Sequence, residues 1–187
     1  MRTAILIHGY NDETEYRDTS RPAPSNDHWF PWLQRQLLLE GIETQVPEMP
    51  GFYEPHYYQW KEMLERFSLD QETILVGHSL GGGFLIRWLS ETKQNVGKVV
   101  LVAPWLDPKK RIDLEFFNFE IDPNIATKTA ELVVMYSTDD GPEILTTIET
   151  LKSKLVGVDF QEFSGKGHFC LNDLKTQEFP ELLRNLL

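Results

Sequence analysis

The stretch "TILVGHSLGGGFLIRWL", Thr73 to Leu89, sets a serine between glycines where a β-branched apolar run gives way to a helical pattern. Within it, Gly77-His78-Ser79-Leu80-Gly81 matches G-x-S-x-G at a strand-to-helix junction. A serine at the apex of such a turn is held in a strained backbone conformation, so the residues two before and two after it must be small. Gly77 and Gly81 meet that need. Gly82 and Gly83, poor helix formers, let the first helical turn approach the sheet closely and leave room above Ser79. The plainer alternative is a glycine-rich helix start whose serine is only an N-cap.

Working outward from this junction, short apolar runs alternate with helical patterns along the whole chain. Thr3–Gly9, Thr73–Gly77, Lys98–Pro104, Glu131–Thr138 and Val158–Ser164 read as strands, several of them apolar on both faces. Helices are expected at about His28–Leu39, Pro55–Phe67, Gly82–Glu91, Pro142–Leu155 and Lys175–Leu187. Continuously apolar strands joined by helices demand an α/β fold, a mainly parallel central sheet with helices on both faces and right-handed crossovers. Active sites in such sheets lie at the carboxyl ends of the strands, so the loop after each strand is the place to look.

Composition limits what those loops can do. The 187 residues are 41% hydrophobic and 12% aromatic, enough for one continuous core, and residues 1–187 read as a single domain. Eighteen basic against 29 acidic side chains give a net charge of −11, which repels phosphate backbones and anionic lipid. Nucleic acid and membrane are therefore not expected partners. Cys170 is the lone cysteine, and residues 1–20 lack the basic and apolar regions of a secretion signal, so the cytoplasm is the expected compartment. No His or Cys pair has metal-ligand spacing, so neither a metal nor another cofactor is expected.

Three post-strand loops hold reactive residues. Ser79 sits in the first. The second, "STDDGPEI", offers Asp139 and Asp140 side by side, either able to orient an imidazole or to cap the helix near Pro142. Asp107, after Pro104, is a third option. The last, "GKGHFCLND", places His168 between a glycine and a phenylalanine after the final strand, where it would serve as general base and then general acid. Serine, acid, histidine is the chain order expected when this elbow sits in this type of sheet. An oxyanion needs converging backbone donors, and the N–H groups of Leu80 and of Tyr10, in the "HGYND" loop after the first strand, are suited to supply them. His8 is read as structural. Tyr10, Trp29, Phe30, Trp105 and Phe169 flank these loops and are candidates for an aromatic acyl pocket, although core packing accounts for aromatics equally well. Cys170 as nucleophile is disfavoured, because no glycine elbow surrounds it.

The set "GHSLGG", "YSTDDG" and "GKGHF", with the Trp-rich "HWFPWLQRQL" and the "EMPGF" segment, resembles the retinoblastoma-binding protein 9 / YdeN family of small serine hydrolases, over nearly the whole chain. The resemblance implies the three-layer α/β-hydrolase fold without a large cap domain. It also implies a nucleophile at Ser79, an acid at Asp140 and a base at His168, acting on a small acyl substrate without a cofactor. "DDGPEI" departs from the family's hydrophobic-Pro pattern after the acid, so the acid loop is expected to sit differently. The L-x-C-x-E motif that binds retinoblastoma protein is absent, and that partner is not implied. The expected reaction is cleavage of an ester, thioester or amide through an acyl-enzyme. The alternative is a hydrolase fold used mainly as a protein- or ligand-binding module with slight turnover. The interval Asp107 to Ala130, with Phe116, Phe117 and Phe119, is too short for a multi-helix lid. The sequence carries no reading of oligomeric state.

Overall fold

Strands form where apolar, β-branched runs can be buried on both faces. In the computed structural model, which describes residues 2–112 and 115–187, six of them make one sheet: β1 (Thr3–Ile7), β2 (Glu43–Gln45), β3 (Ile74–His78), β4 (Val96–Val102), β5 (Thr129–Ser137) and β6 (Asp159–Phe163). All pairings are parallel, in the order β2-β1-β3-β4-β5-β6. β3 is buried at every position and β4 at nearly every one, as central strands must be. The sequence reading omits β2. It is a three-residue edge strand with only Thr44 turned inward, too short to show a period.

Helices cover the sheet as right-handed crossovers require. α2 (Phe30–Leu39) packs beside β2 and against α7 (Pro180–Leu186), whereas α3 (Tyr57–Leu64) packs against α4 (Leu80–Glu91), which lies along β3 and β4. The chain moves one way along the sheet from β1 to β2 and the other way from β3 onward. The crevice at that reversal opens beside the carboxyl ends of β1 and β3. α5 (Pro142–Lys154) starts at Pro142, whose fixed φ suits a first helical turn. The expected single helix at Lys175–Leu187 is instead a short α6 (Leu171–Leu174) and α7. Lys175 is left-handed at φ 59°, and Pro180 fixes the new start. The remaining helix, α1 (Glu13–Arg17), is also absent from the sequence reading. It has no buried residue and is held by its Asp12 cap, so it carries no hydrophobic period.

No helical domain is inserted between β4 and β5 among the described residues. The interval carries only a short 3-10 turn, Ile125–Lys128, and a strap over the sheet's edge. Asp113 and Leu114, within the Asp107 to Ala130 interval, lie outside the described residues. The flanking part of the strap is anchored from below. Arg87 of α4, nearly fully buried, donates to the carbonyls of Phe116, at 2.9 Å, and Glu115, and pairs with Glu91 at 3.0 Å. Its guanidinium lies 3.5 Å from the Tyr57 ring centroid. Phe116 is fully buried, and Phe117 and Phe119 are partly so, against the core.

Candidate active site

Ser79 links β3 to α4 with φ 54° and ψ −117°, a conformation that a side chain disfavours. The turn is held by main-chain bonds. Ser79 N–H donates to Val102 at 2.9 Å, and its carbonyl accepts from Gly83 at 3.1 Å and Trp105 at 3.0 Å. The glycines are required by close approach. A Cβ on Gly77 would lie 2.6 Å from the Gly81 carbonyl oxygen, and one on Gly81 would lie 2.4 Å from that of Ile7. Ser79 is therefore no ordinary helix cap. It makes no side-chain capping bond and stands above the sheet's carboxyl edge.

The two aspartates after β5 have separate work. Asp140, whose side chain is 4% exposed, faces Nδ1 of His168 at 2.9 and 3.1 Å. Asp139 accepts from the Ser137 hydroxyl and from the N–H groups of Gly165, at 2.9 Å, and Gly167, at 3.3 Å. The Ser137 bond leads the effects that hold the Asp139 carboxyl below its usual range. Asp139 thus shapes the loop that carries His168, while Asp140 meets the imidazole itself. With Nδ1 donating to Asp140, the lone pair of His168 sits on Nε2. Asp107 lies apart, its Oδ2 accepting from Ile112 N–H at 2.9 Å while Oδ1 is buried without a partner.

Two further histidines support the site. His78, buried beside the serine, donates from Nε2 to the His168 carbonyl at 2.9 Å, tying the elbow to the histidine loop. Burial, and then the neighbouring His168 and His28, hold its imidazole well below the ordinary value. His8 is buried in the loop after β1. Its Nε2 accepts from Met49 N–H at 2.9 Å, and Nδ1 faces the Gly9 carbonyl at 2.9 Å. That loop lies against the serine: a Cβ on Gly9 would come within 3.6 Å of Ser79 Oγ. The main-chain N–H groups of Tyr10 and Leu80 donate to no protein acceptor among the described residues.

Ser79 and His168 line two recesses that meet between them. The larger, about 690 Å³, has apolar walls from Trp105, Ile112, Pro142 and Ile144, with Tyr10 at the junction. The smaller, about 240 Å³, is polar and includes Asn11, Asp27, His28 and Asn172, with Phe30 behind them. Two expected pocket residues line neither recess. Trp29 is fully buried and stacks on Phe30 at 4.1 Å, and Phe169 is fully buried and stacks on Phe179 at 5.3 Å. Both face inward because the core beneath these loops needs large apolar side chains, whichever loop they flank. Burial, then Asp173, pushes the Cys170 thiol up to about 12, far from thiolate reactivity. The larger recess also carries Lys109, Arg111 and Glu143, which no motif in the sequence marks as site residues. The "KKR" run at 109–111 in so acidic a chain was the available signal. Among the described residues no group of three His, Cys, Asp or Glu is arranged to hold a metal. No helix there is long and apolar enough to cross a membrane.

A parallel sheet with a serine on a strained strand-to-helix turn, and an Asp-bound histidine on the loop after the last strand, defines an α/β hydrolase. The chain belongs to the serine hydrolase family, whose profile matches residues 4–186. It is 25% identical over 174 residues to the ydeN gene product of Bacillus subtilis, covering 90% of this chain and 86% of that protein. The crystal structure of that protein superposes with a TM-score of 0.80 at 26% identity, covering 100% of this chain and 97% of the other. The carbazole-degradation serine hydrolase CarC (TM-score 0.61, 14% identity, 98% and 88% coverage) shares the fold. So does Est1E of Butyrivibrio proteoclasticus in a complex with ferulic acid (TM-score 0.64, 12% identity, 100% and 86% coverage).

Proposed function

We propose that this cleft hydrolyses a small ester, thioester or amide through an acyl-enzyme, using Ser79, His168 and Asp140 and no cofactor. His168 Nε2 takes the proton of Ser79 Oγ as that oxygen attacks the scissile carbonyl. Asp140 at Nδ1 keeps the imidazole in the required tautomer and stabilises the imidazolium. The unspent N–H groups of Leu80 and Tyr10 stabilise the tetrahedral oxyanion. His168 then protonates the departing alcohol, thiol or amine, and water repeats the sequence on the acyl-enzyme. The two recesses on either side of Ser79 hold the acyl and leaving groups. The observation that carries this reading is the shared cleft: a serine strained outward at its turn beside a histidine whose Nδ1 is held at 2.9 Å by a buried carboxylate. The charge of −11 fits a small-molecule substrate better than nucleic acid or anionic lipid, and a lone cysteine suits a reducing compartment such as the cytoplasm.

A fluorophosphonate probe tests it directly. Ser79 becomes labelled, and Ser79→Ala loses both labelling and hydrolysis, with turnover falling on the order of 10⁶-fold. Turnover by the Ala variant at the wild-type rate would remove Ser79 from the mechanism.

A further inference from the structure

The larger recess combines apolar walls with an unusual charge arrangement. Glu143, on the first turn of α5, is largely buried, its side chain 12% exposed. One oxygen, Oε1, takes both Lys109 Nζ at 3.0 Å and an Arg111 guanidinium nitrogen, while Oε2 accepts from Trp105 Nε1 at 3.1 Å. Two cations therefore share one oxygen of one carboxylate. Against Glu143 alone one positive charge is left over, Asp12 across the recess balances it, and most of the five guanidinium N–H donors are unspent among the described residues. Asp12, the other acid on this recess, has Oδ1 engaged by Glu15 N–H as the cap of α1. Lys109 and Arg111 are themselves about 60% exposed, at the mouth rather than the floor.

We infer that the substrate carries a carboxylate at the far end of its apolar part, bound by Lys109 and Arg111 at the mouth of the recess. Glu143 already shows that these two side chains converge on a carboxylate. A second one meets the remaining donors while its apolar body lies against Trp105, Ile112, Pro142 and Ile144. A cation pair kept at the active cleft of a chain of net charge −11 gives a carboxylate local charge-assisted donors that the rest of the acidic surface does not offer. This assignment rests on the hydrolase reading above and names a substrate class for it.

The test is a ratio of kcat/KM values, each divided by the ester's hydroxide-catalysed rate. One arm places the carboxylate on the acyl side, 4-nitrophenyl hemisuccinate against 4-nitrophenyl butyrate. The other places it on the alcohol side, the acetate of a hydroxybenzoate against the acetate of a cresol. In one arm at least, the carboxylate ester is preferred by about tenfold, the worth of one charge-assisted hydrogen bond, and mainly through KM. Lys109→Gln with Arg111→Gln brings that ratio to about one, and salt shrinks it in the wild type. Glu143→Gln, which frees both cations, raises the ratio about threefold and keeps the idea testable if the double variant does not fold. A wild-type ratio near one in both arms overturns the carboxylate assignment, as does a ratio indifferent to the double variant. If neutral esters are still cleaved and Ser79 is labelled, only this assignment falls. If no ester is cleaved and no label enters, the hydrolase reading falls with it.

Discussion

At the elbow, Ser79 is fixed by the main chain: three backbone hydrogen bonds to β4, α4 and the loop after β4, with glycines where any Cβ would collide. The strap on the other side of the cleft is fixed by side chains. Arg87 reaches up to the carbonyls of Glu115 and Phe116, Glu143 gathers Trp105, Lys109 and Arg111, and Phe116 plugs the core. The close approach that main-chain fixation requires leaves a short, contiguous glycine motif in the sequence, even though Val102 and Trp105, which share its hydrogen bonds, are distant. Side-chain fixation joins partners 28 to 38 residues apart, and the "KKR" run is its one local trace. Under the proposed function the elbow would carry the chemistry and the strap the choice of substrate.

Substitutions at the two ends of this contrast give different losses. On the catalytic side, Asp140→Asn lowers kcat by about 10³ to 10⁴, because the imidazole then adopts the wrong tautomer. Asp139→Asn weakens the histidine loop and costs far less turnover, and Asp107→Asn is mild. Steady-state kinetics on one neutral ester separates the three. A loss confined to Asp139 or Asp107 would reassign the orienting acid.

On the strap side, Arg87→Met removes the donors to Glu115 and Phe116 and costs about 2 to 4 kcal/mol, or a Tm lower by roughly 5 to 15 °C. Labelling of Ser79 by fluorophosphonate persists in the folded fraction, since no contact to the elbow is lost. If calorimetry shows an unchanged Tm, the strap is not held from below. If labelling vanishes while the fold stays intact, strap and elbow are one unit.

The smaller effect of pH sharpens the elbow's side. Burial keeps His78 neutral in the fold, while the unfolded imidazole takes up a proton near its ordinary 6.5. Below that value the unfolded state binds more protons, so the stability present above it is lost as pH falls. Tm drops from about pH 7 to about pH 5, and His78→Gln makes the drop shallower; His28, also lowered first by burial, keeps part of it. An identical pH slope in the variant would show that His78 is not the titrating group. Smallest of all is the gain per methylene in the recess. For neutral aryl esters, kcat/KM rises with acyl length by at most about 0.8 kcal/mol per buried CH₂ and then falls once the chain outgrows the roughly 690 Å³ recess. A steady climb to the longest soluble chain would mean that the strap opens.

β2, α1 and the break between α6 and α7 are not legible in the sequence, whereas five of the six strands, the parallel sheet they imply, and the serine turn with its glycines are. These depend on periodicity and on backbone sterics, both of which act between residues close in the chain. Which aspartate meets His168 was left open by the local sequence. Asp139 and Asp140 are adjacent and chemically identical, and the path of the Gly165–Gly167 loop, 26 to 28 residues away, gives one to the loop and the other to the imidazole. The same holds for the pocket. Trp29, Phe169 and Trp105 are indistinguishable as aromatic residues beside reactive loops, and packing alone buried the first two and left the third on the cleft. Lys109, Arg111 and Glu143 meet only when the strap is laid across the start of α5, because a charge has no preferred partner until the fold sets its distances.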